Sequence, residues 1–256
     1  MSTAPPIFDA HFHIFDPRFP LVENQGYLPP AFTIADYLSQ SAPLGVTGGA
    51  VVSGSFQAFD QGYLIATLAA LGPAYVGVTQ LPRAVSDETI RDLADRGVRA
   101  IRFNLHRGGS EGIDALAEMA HRVHDLAGWH VEIYTDAAAL APLAPRLAAL
   151  PRVVIDHLSL TAAGLPVLLG LVERGVTVKA TGFGRVTLDV PAALRAIAAA
   201  NPAALVFGTD LPSTRARRPF AAGDIDLVRD TLGEALARRV LFGNATALYT
   251  QQGQCR

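Results

Sequence analysis

Short apolar, β-branched runs recur along the chain, each followed by a longer stretch whose apolar residues return at helical spacing. The runs predict strands over Ile7–Ile14, Gly49–Ser53, Tyr75–Gln80, Val98–Leu105, His130–Thr135, Val153–Leu158, Val176–Thr181 and Leu205–Thr209. Between them lie Ala- and Leu-rich segments such as Asp87–Arg96, Ile113–Leu126 and Leu188–Ala200. Ser86 reads as the N-cap of the first, with Asp87 and Glu88 in the opening turn, where carboxylates suit the helix dipole. Strands alternating with helices imply βαβ units and a parallel sheet. Eight such units suggest a sheet closed into a (β/α)8 barrel, and 256 residues match the roughly 250 that this fold needs. Residues 1–256 are therefore read as one domain, with no linker or low-complexity tract. The longest irregular stretch, Asp16–Pro30, would lie over the C-terminal mouth of the barrel and brings Tyr27 to it.

Composition narrows the picture. Half the residues are hydrophobic and 17% are charged, which suits a large buried core. No apolar run reaches the roughly 20 residues that span a bilayer, and Met1 to Pro6 carry no leader-like pattern. The one cysteine, Cys255, excludes an internal disulfide framework, so a cytoplasmic setting is expected. A net charge of -2 gives no reason to expect nucleic acid as a partner. Lys179 is the only lysine among 21 basic residues, so any lysine chemistry must use it.

Ionisable residues collect where the strands should be ending. Side chains alternate along a strand, so Asp9, His11 and His13 would share the inward face of the first one. Arg102 and Asn104 end the fourth, Glu132 and Tyr134 the fifth, Asp156 and His157 the sixth, Thr209 and Asp210 the eighth. One such residue could be a cap or a satisfied core group. The whole set is hard to attribute to packing, because burying unpaired charge costs several kcal/mol. The C-terminal face is also where barrel enzymes place their sites.

Phe8-Asp9-Ala10-His11-x-His13, the stretch from Gly97 to Asn104, Ile155-Asp156-His157, Lys179-Ala180-Thr181-Gly182 with Arg185, Gly208-Thr209-Asp210-x-Pro212 and Gly243-Asn244-Ala245 together resemble the amidohydrolase superfamily. The likeness covers nearly the whole chain. It is narrowest to the amidohydrolase-2 group, which contains pyrone-dicarboxylate lactonases, sulfomuconolactone hydrolases and sugar lactonases. The resemblance implies Asp210 as general base, with His11, His13 and His157 polarising the carbonyl of a lactone. Binuclear members carry a bridging lysine on strand 4, where this chain has Arg102 and Asn104, so a two-metal site is not expected. Mononuclear members take a histidine from strand 5, where this chain has Tyr134. The favoured reading is therefore catalysis without a metal cofactor. The alternative is one Zn²⁺ on His11, His13, His157 and Asp210, although a catalytic zinc usually has three protein ligands and an open position.

Arginine binds carboxylate in a bidentate manner, so Arg102, Arg107 and Arg185, at or just past strand ends, are candidate contacts for an anionic small-molecule substrate. Ser55, Tyr27, Tyr134 and Ser213 are candidate hydroxyl contacts, while Arg215, Arg217 and Arg218 read as a solvated loop. Leu160 stands where pyrone-dicarboxylate lactonases carry an arginine, which argues against that dicarboxylate. A metal-dependent amidohydrolase or decarboxylase and a catalytically silent binding barrel are the competing readings. Neither the particular lactone nor the oligomeric state is legible.

Overall fold

The computed structural model describes residues 5–250; Cys255 and most of the segment read for a leader lie outside them. Eight parallel strands follow one another in chain order around a single sheet. They are β1 (Ile7–Phe12), β2 (Val46–Val52), β3 (Tyr75–Thr79), β4 (Val98–Asn104), β5 (His130–Tyr134), β6 (Val153–Ile155), β7 (Thr177–Ala180) and β8 (Leu205–Phe207). Helices fill the connections: α1 (Ile34–Ser41), α2 (Gly62–Leu71), α3 (Asp87–Asp95), α4 (Ile113–Ala127), α5 (Ala144–Leu147), α6 (Leu165–Val172), α7 (Val190–Ala200) and α8 (Gly223–Arg238). A last helix, α9 (Asn244–Thr250), follows. This is the expected (β/α)8 barrel. No helix among the described residues is long and apolar enough to cross a membrane.

Ser86 caps α3 as expected, its hydroxyl accepting from Thr89 N at 3.1 Å. Every strand ends one to three residues before its apolar run does. β6 stops at Ile155 and β8 at Phe207, so Asp156, His157, Thr209 and Asp210 stand on the turns beyond them. The outward parity of the strands, such as Ile101, Phe103, Val131, Ile133 and Val178, packs against the helices. Inside, Phe8, Ala10, Ala50, Val52, Val78, Ala100 and Val206 form a smaller cluster at the N-terminal end, closed by Tyr249 of α9.

Closure depends on β1. Its register against β2 runs from Asp9↔Gly49 to Phe12↔Val51, three residues against two, which is a β-bulge. The bulge reverses the side-chain alternation. Asp9 is therefore directed toward α1, not into the barrel with His11 and His13 as the simple alternation implied. Its buried carboxylate accepts from Thr209 N at 2.8 Å, Thr209 Oγ1 at 2.7 Å, His11 N at 3.2 Å and Tyr37 Oη at 3.1 Å. Burial pushes its pKa up to about 6, against the pull of those four donors. Backbone bonds from Asp210 N to His11 O (2.7 Å) and from His13 N to Leu211 O (2.8 Å) complete the seam between the turn after β8 and β1. Gly208 permits this approach, since a Cβ there would lie 2.6 Å from His11 N.

Asp9 is thus a seam residue. Asp9→Ala would leave several buried donors without an acceptor, each costing about 1–3 kcal/mol. The variant should lose about 3 kcal/mol or more of stability in urea denaturation, and Asp9→Asn, which keeps one acceptor oxygen, should lose less. An alanine variant as stable as the wild type would remove this role.

Candidate active site

The charged side chains inside the barrel come in matched pairs. On β5, Glu132 lies 2.5 Å from Lys179 Nζ of β7. Asp156, past β6, lies 3.0 Å from Arg102 of β4. Asp210, past β8, lies 2.5 Å from Arg185 Nε on the β7 loop. Burial alone would raise all three carboxylates. Lys179 nonetheless draws Glu132 down to about 2, and Arg102 with Lys179 holds Asp156 below the usual range. For Asp210 burial outweighs Arg185, and its pKa is raised.

The histidines stand among these charges. His11 packs edge-on to His13 at 5.0 Å between ring centroids and against His157 at 4.8 Å. Burial lowers all three, helped by Lys179 at His11, Arg102 at His13 and Arg185 with Arg102 at His157, so the rings are neutral. His13 falls to about 3.

Two tautomers follow from their partners. His13 Nδ1 lies 2.7 Å from Val52 O, which can only accept, so Nδ1 carries the hydrogen and Nε2 keeps its lone pair. Lys179 Nζ lies 3.3 Å from His11 Nδ1, and an ammonium can only donate. Nδ1 of His11 is then the acceptor and Nε2 is the N–H. Both Nε2 atoms face Asp210 Oδ1, at 4.0 Å from His11 and 3.9 Å from His13. His11 Nε2, His157 Nδ1 and Asp210 Oδ1 are buried without hydrogen-bond partners.

His157 reaches this point through an unusual turn. His157, Leu158, Ser159 and Leu160 have φ of 51°, 50°, 64° and 68°, and Asp210 has 61°. Ser159 anchors the turn by accepting from Ala137 N at 2.6 Å. Gly182 makes room for it at φ 62°, because a Cβ there would meet His157 Nδ1 at 2.6 Å.

Above lies a small cleft that opens to solvent. It is lined by His13, His157, Ser55, Asn104, Tyr134 and four arginines: Arg102, Arg107, Arg185 and Arg215. His11 and Asp210 are fully buried and do not line it. Ser213 does not reach the cleft either; its hydroxyl accepts from Phe220 N at 2.9 Å and shapes the loop after β8. Tyr27 stands behind Arg215, whose guanidinium carbon lies 4.8 Å from its ring centroid and 4.9 Å from that of Phe56. Arg215, read from sequence as part of a solvated loop, is thus half-buried and lines the cleft. Arg217 and Arg218 are exposed. Lys179 and Arg215 are the site residues that sequence reasoning left without a role. The lone lysine on an apolar strand was the available signal for the first, and nothing local marked the second.

By distance alone His11, His157 and Asp210, with ligand atoms within 4.8 Å of one another, could hold a metal ion, as could His11, Glu132 and Asp156. His13 belongs to neither group. The donor set is divided over a Zn²⁺: the unpartnered His11 Nε2, His157 Nδ1 and Asp210 Oδ1 would suit one ion, but the contact from Lys179 puts the hydrogen on His11 Nε2, and Arg185 already pairs with Asp210 Oδ2. Each buried carboxylate already has its cation, so a divalent ion would add uncompensated charge.

The amidohydrolase family model Amidohydro_2 matches residues 8–251, and the chain belongs to that family. The 2-pyrone-4,6-dicarboxylate hydrolase of Comamonas testosteroni is 34% identical over 155 residues, 59% of this chain and 50% of that one. The 4-sulfomuconolactone hydrolase of Rhizobium radiobacter is 28% identical over 268 residues, 94% of this chain and 89% of that one. A probable 2-pyrone-4,6-dicarboxylic acid hydrolase from Acinetobacter baumannii, solved with citric acid bound, superposes with a TM-score of 0.82 at 21% identity. That match covers 95% of this chain and 98% of the other, and it carries the fold.

Gly182→Ala should displace the His157 ring without unfolding the barrel. Displacements of about 1 Å can cost about 10²-fold in rate, so turnover should fall by that order with an unchanged circular-dichroism spectrum. Wild-type turnover in this variant would mean that the ring's position is immaterial.

Proposed function

We propose that the protein hydrolyses a lactone bearing an anionic group, with Asp210 as general base and no metal ion. One observation carries the reading. Asp210 Oδ1 is buried without a hydrogen-bond partner, faces the Nε2 atoms of His11 and His13, and lies beneath a cleft walled by four guanidiniums. The family and the lactone hydrolases among its relatives mark an enzyme of ester-bond hydrolysis. The single-domain and cytoplasmic expectations remain part of this proposal.

The chemistry follows from the tautomers. A water set between Asp210 Oδ1 and the lactone carbon gives its proton to Asp210 as its oxygen bonds to that carbon. His13 Nε2, the lone-pair nitrogen, accepts the water's second hydrogen and aims it. His11 Nε2–H donates to the carbonyl oxygen as it becomes an oxyanion, with His157 on the same side. The tetrahedral intermediate then collapses, the ring C–O bond breaks, and protonated Asp210 returns its proton to the leaving oxygen. Arg102, Arg107, Arg185 and Arg215 supply forks for substrate carboxylate or sulfonate oxygens. Ser55 and Tyr134 lie in the same wall and give neutral contacts.

Asp210→Asn should lower kcat on a good lactone substrate by about 10²–10⁴-fold while substrate still binds. Near-normal kcat in that variant would overturn the base assignment. The pH profile has a definite sign. A base must be deprotonated, and burial raises the Asp210 pKa above 3.8, so kcat/KM should fall as pH drops through a value above 3.8. No separate step should occur near 6.5, since His11, His13 and His157 all titrate below that value. An acid limb below 3.8, or a histidine step at neutrality, would contradict the scheme.

Prolonged chelation should leave turnover largely intact, with metal analysis showing no stoichiometric zinc. Activity lost on chelation and restored by Zn²⁺ would instead favour the mononuclear alternative, whose best support is the 4.8 Å grouping of His11, His157 and Asp210.

A further inference from the structure

Arg185 has two anions to choose between. In the structure its Nε donates to Asp210 Oδ2 at 2.5 Å, both side chains are nearly inaccessible, and Arg185 also lines the cleft. The guanidinium takes back part of the basicity that burial gives the carboxylate, and the pair roofs the carboxylate that a water must reach. We propose that the substrate's own anionic group draws Arg185 off Asp210, so that the enzyme exposes its base only to lactones that carry a negative charge. This rests on Asp210 being the base.

The surroundings allow such an exchange. Arg185 packs over Gly182, where a Cβ would stand 3.0 Å from Arg185 Cδ and 3.3 Å from Asp210 Oδ2, so only a glycine there lets the stem and the carboxylate share this space. The cleft side offers other cations, Arg107 and Arg215, that would hold the incoming anion beside Arg185. When the guanidinium leaves, Asp210 is not stranded. Arg102 still bears on it electrostatically, and the Nε2–H of His11 with the attacking water remains to meet its oxygens. No covalent change is involved. One ion pair is traded for another, and total charge in the site rises only by that of the substrate.

The exchange separates binding from turnover. A residue that merely holds substrate changes KM, whereas one that releases the base changes kcat. A lactone with no acid should therefore suffer in kcat even at saturation, by about 10- to 100-fold, the usual size of a coupling between two sites. A free carboxylate should restore what that lactone lacks.

The test uses γ-butyrolactone, its carboxylated counterpart 5-oxotetrahydrofuran-2-carboxylate, and acetate as the separate anion. Wild-type kcat should be about 10-fold or more higher on the acid, and acetate should raise kcat on the plain lactone with saturation. Arg185→Met should abolish the acetate effect and bring the two kcat values together. A second measurement needs no turnover. With ¹³Cγ-labelled aspartate, assigned through Asp210→Asn, acetate should shift the Asp210 resonance in the wild type. In Arg185→Met the resonance should already sit near the acetate-bound position and stay there. Equal wild-type kcat on both lactones, or an Asp210 signal indifferent to acetate, would reduce Arg185 to a binding residue and overturn the exchange. Full kcat in Asp210→Asn would overturn the base reading alone, because the acetate-dependent shift reports the exchange whatever Asp210 does.

Discussion

A carboxylate can stay ionised inside a dry barrel only if a cation is brought in with it, and this constraint organises the site. Three acids enter the interior, and each is met by one base from another part of the sheet: Glu132 by Lys179, Asp156 by Arg102, Asp210 by Arg185. The consequences run upward. Lys179, placed by Glu132, donates to Nδ1 of His11 and so leaves the hydrogen on Nε2, which faces Asp210. Tyr249 from the last helix donates to Glu132 at 2.7 Å, tying the barrel floor to the same chain of contacts. The buried cations also help to hold the imidazoles neutral, and a neutral imidazole can either accept or donate. Buried ion pairs are weak contributors to stability compared with apolar packing of the same volume. Their concentration at one end of the barrel is better explained by what they do to the histidines and Asp210.

The same end of the barrel carries the backbone strain. Four successive non-glycine residues from His157 to Leu160 have positive φ, as do Asp210, Ser213 and Arg215. Each left-handed residue costs of order 1–3 kcal/mol. Hydrogen bonds offset the cost where it is concentrated: Ser159 Oγ takes Ala137 N, and Leu160 O takes Thr187 N at 2.9 Å. The result is geometric. An ordinary exit from β6 would carry the next residues away toward α6, whereas this turn folds His157 back to within 4.8 Å of His11.

Much of this was legible in the sequence, for definite reasons. Period-two and helical patterns marked all eight strands, and the polar residues at their ends located the mouth of the barrel. Strand length was less visible, since Asp156-His157 and Thr209-Asp210 continue an apolar run without continuing its hydrogen bonding. The bulge in β1 left no trace in residue type, so Asp9 was assigned to the wrong face. It is a seam residue because one extra amino acid reverses the alternation before His11. Tyr27 was read from its long loop over the mouth and Ser213 as a hydroxyl contact past strand 8, but Ser213 is engaged inside its own loop by Phe220 N, and Tyr27 is covered by Arg215 from the loop after β8. Arg215 was hidden for the complementary reason. Its position depends on Tyr27, Phe56 and Asn24, which are distant in sequence.

Those loop contacts decide how charge is distributed between floor and mouth. Arg215 is held by Asn24 and by two aromatic faces, and Arg107 by Asn24, Gln25 and Asn104. All of these partners are neutral. Arg107 Nε is buried with no hydrogen-bond partner. Asp136, which lines an adjoining pocket with Arg107 and Arg215, bonds to Ala138 N and Thr161 Oγ1 and pairs with neither arginine. The inner cations are therefore cancelled one for one by carboxylates, whereas the outer pair keeps its charge. A field of that shape attracts an anion into the cleft and leaves the reacting centre beneath it close to neutral, where hydrogen bonds from neutral imidazoles act at low dielectric.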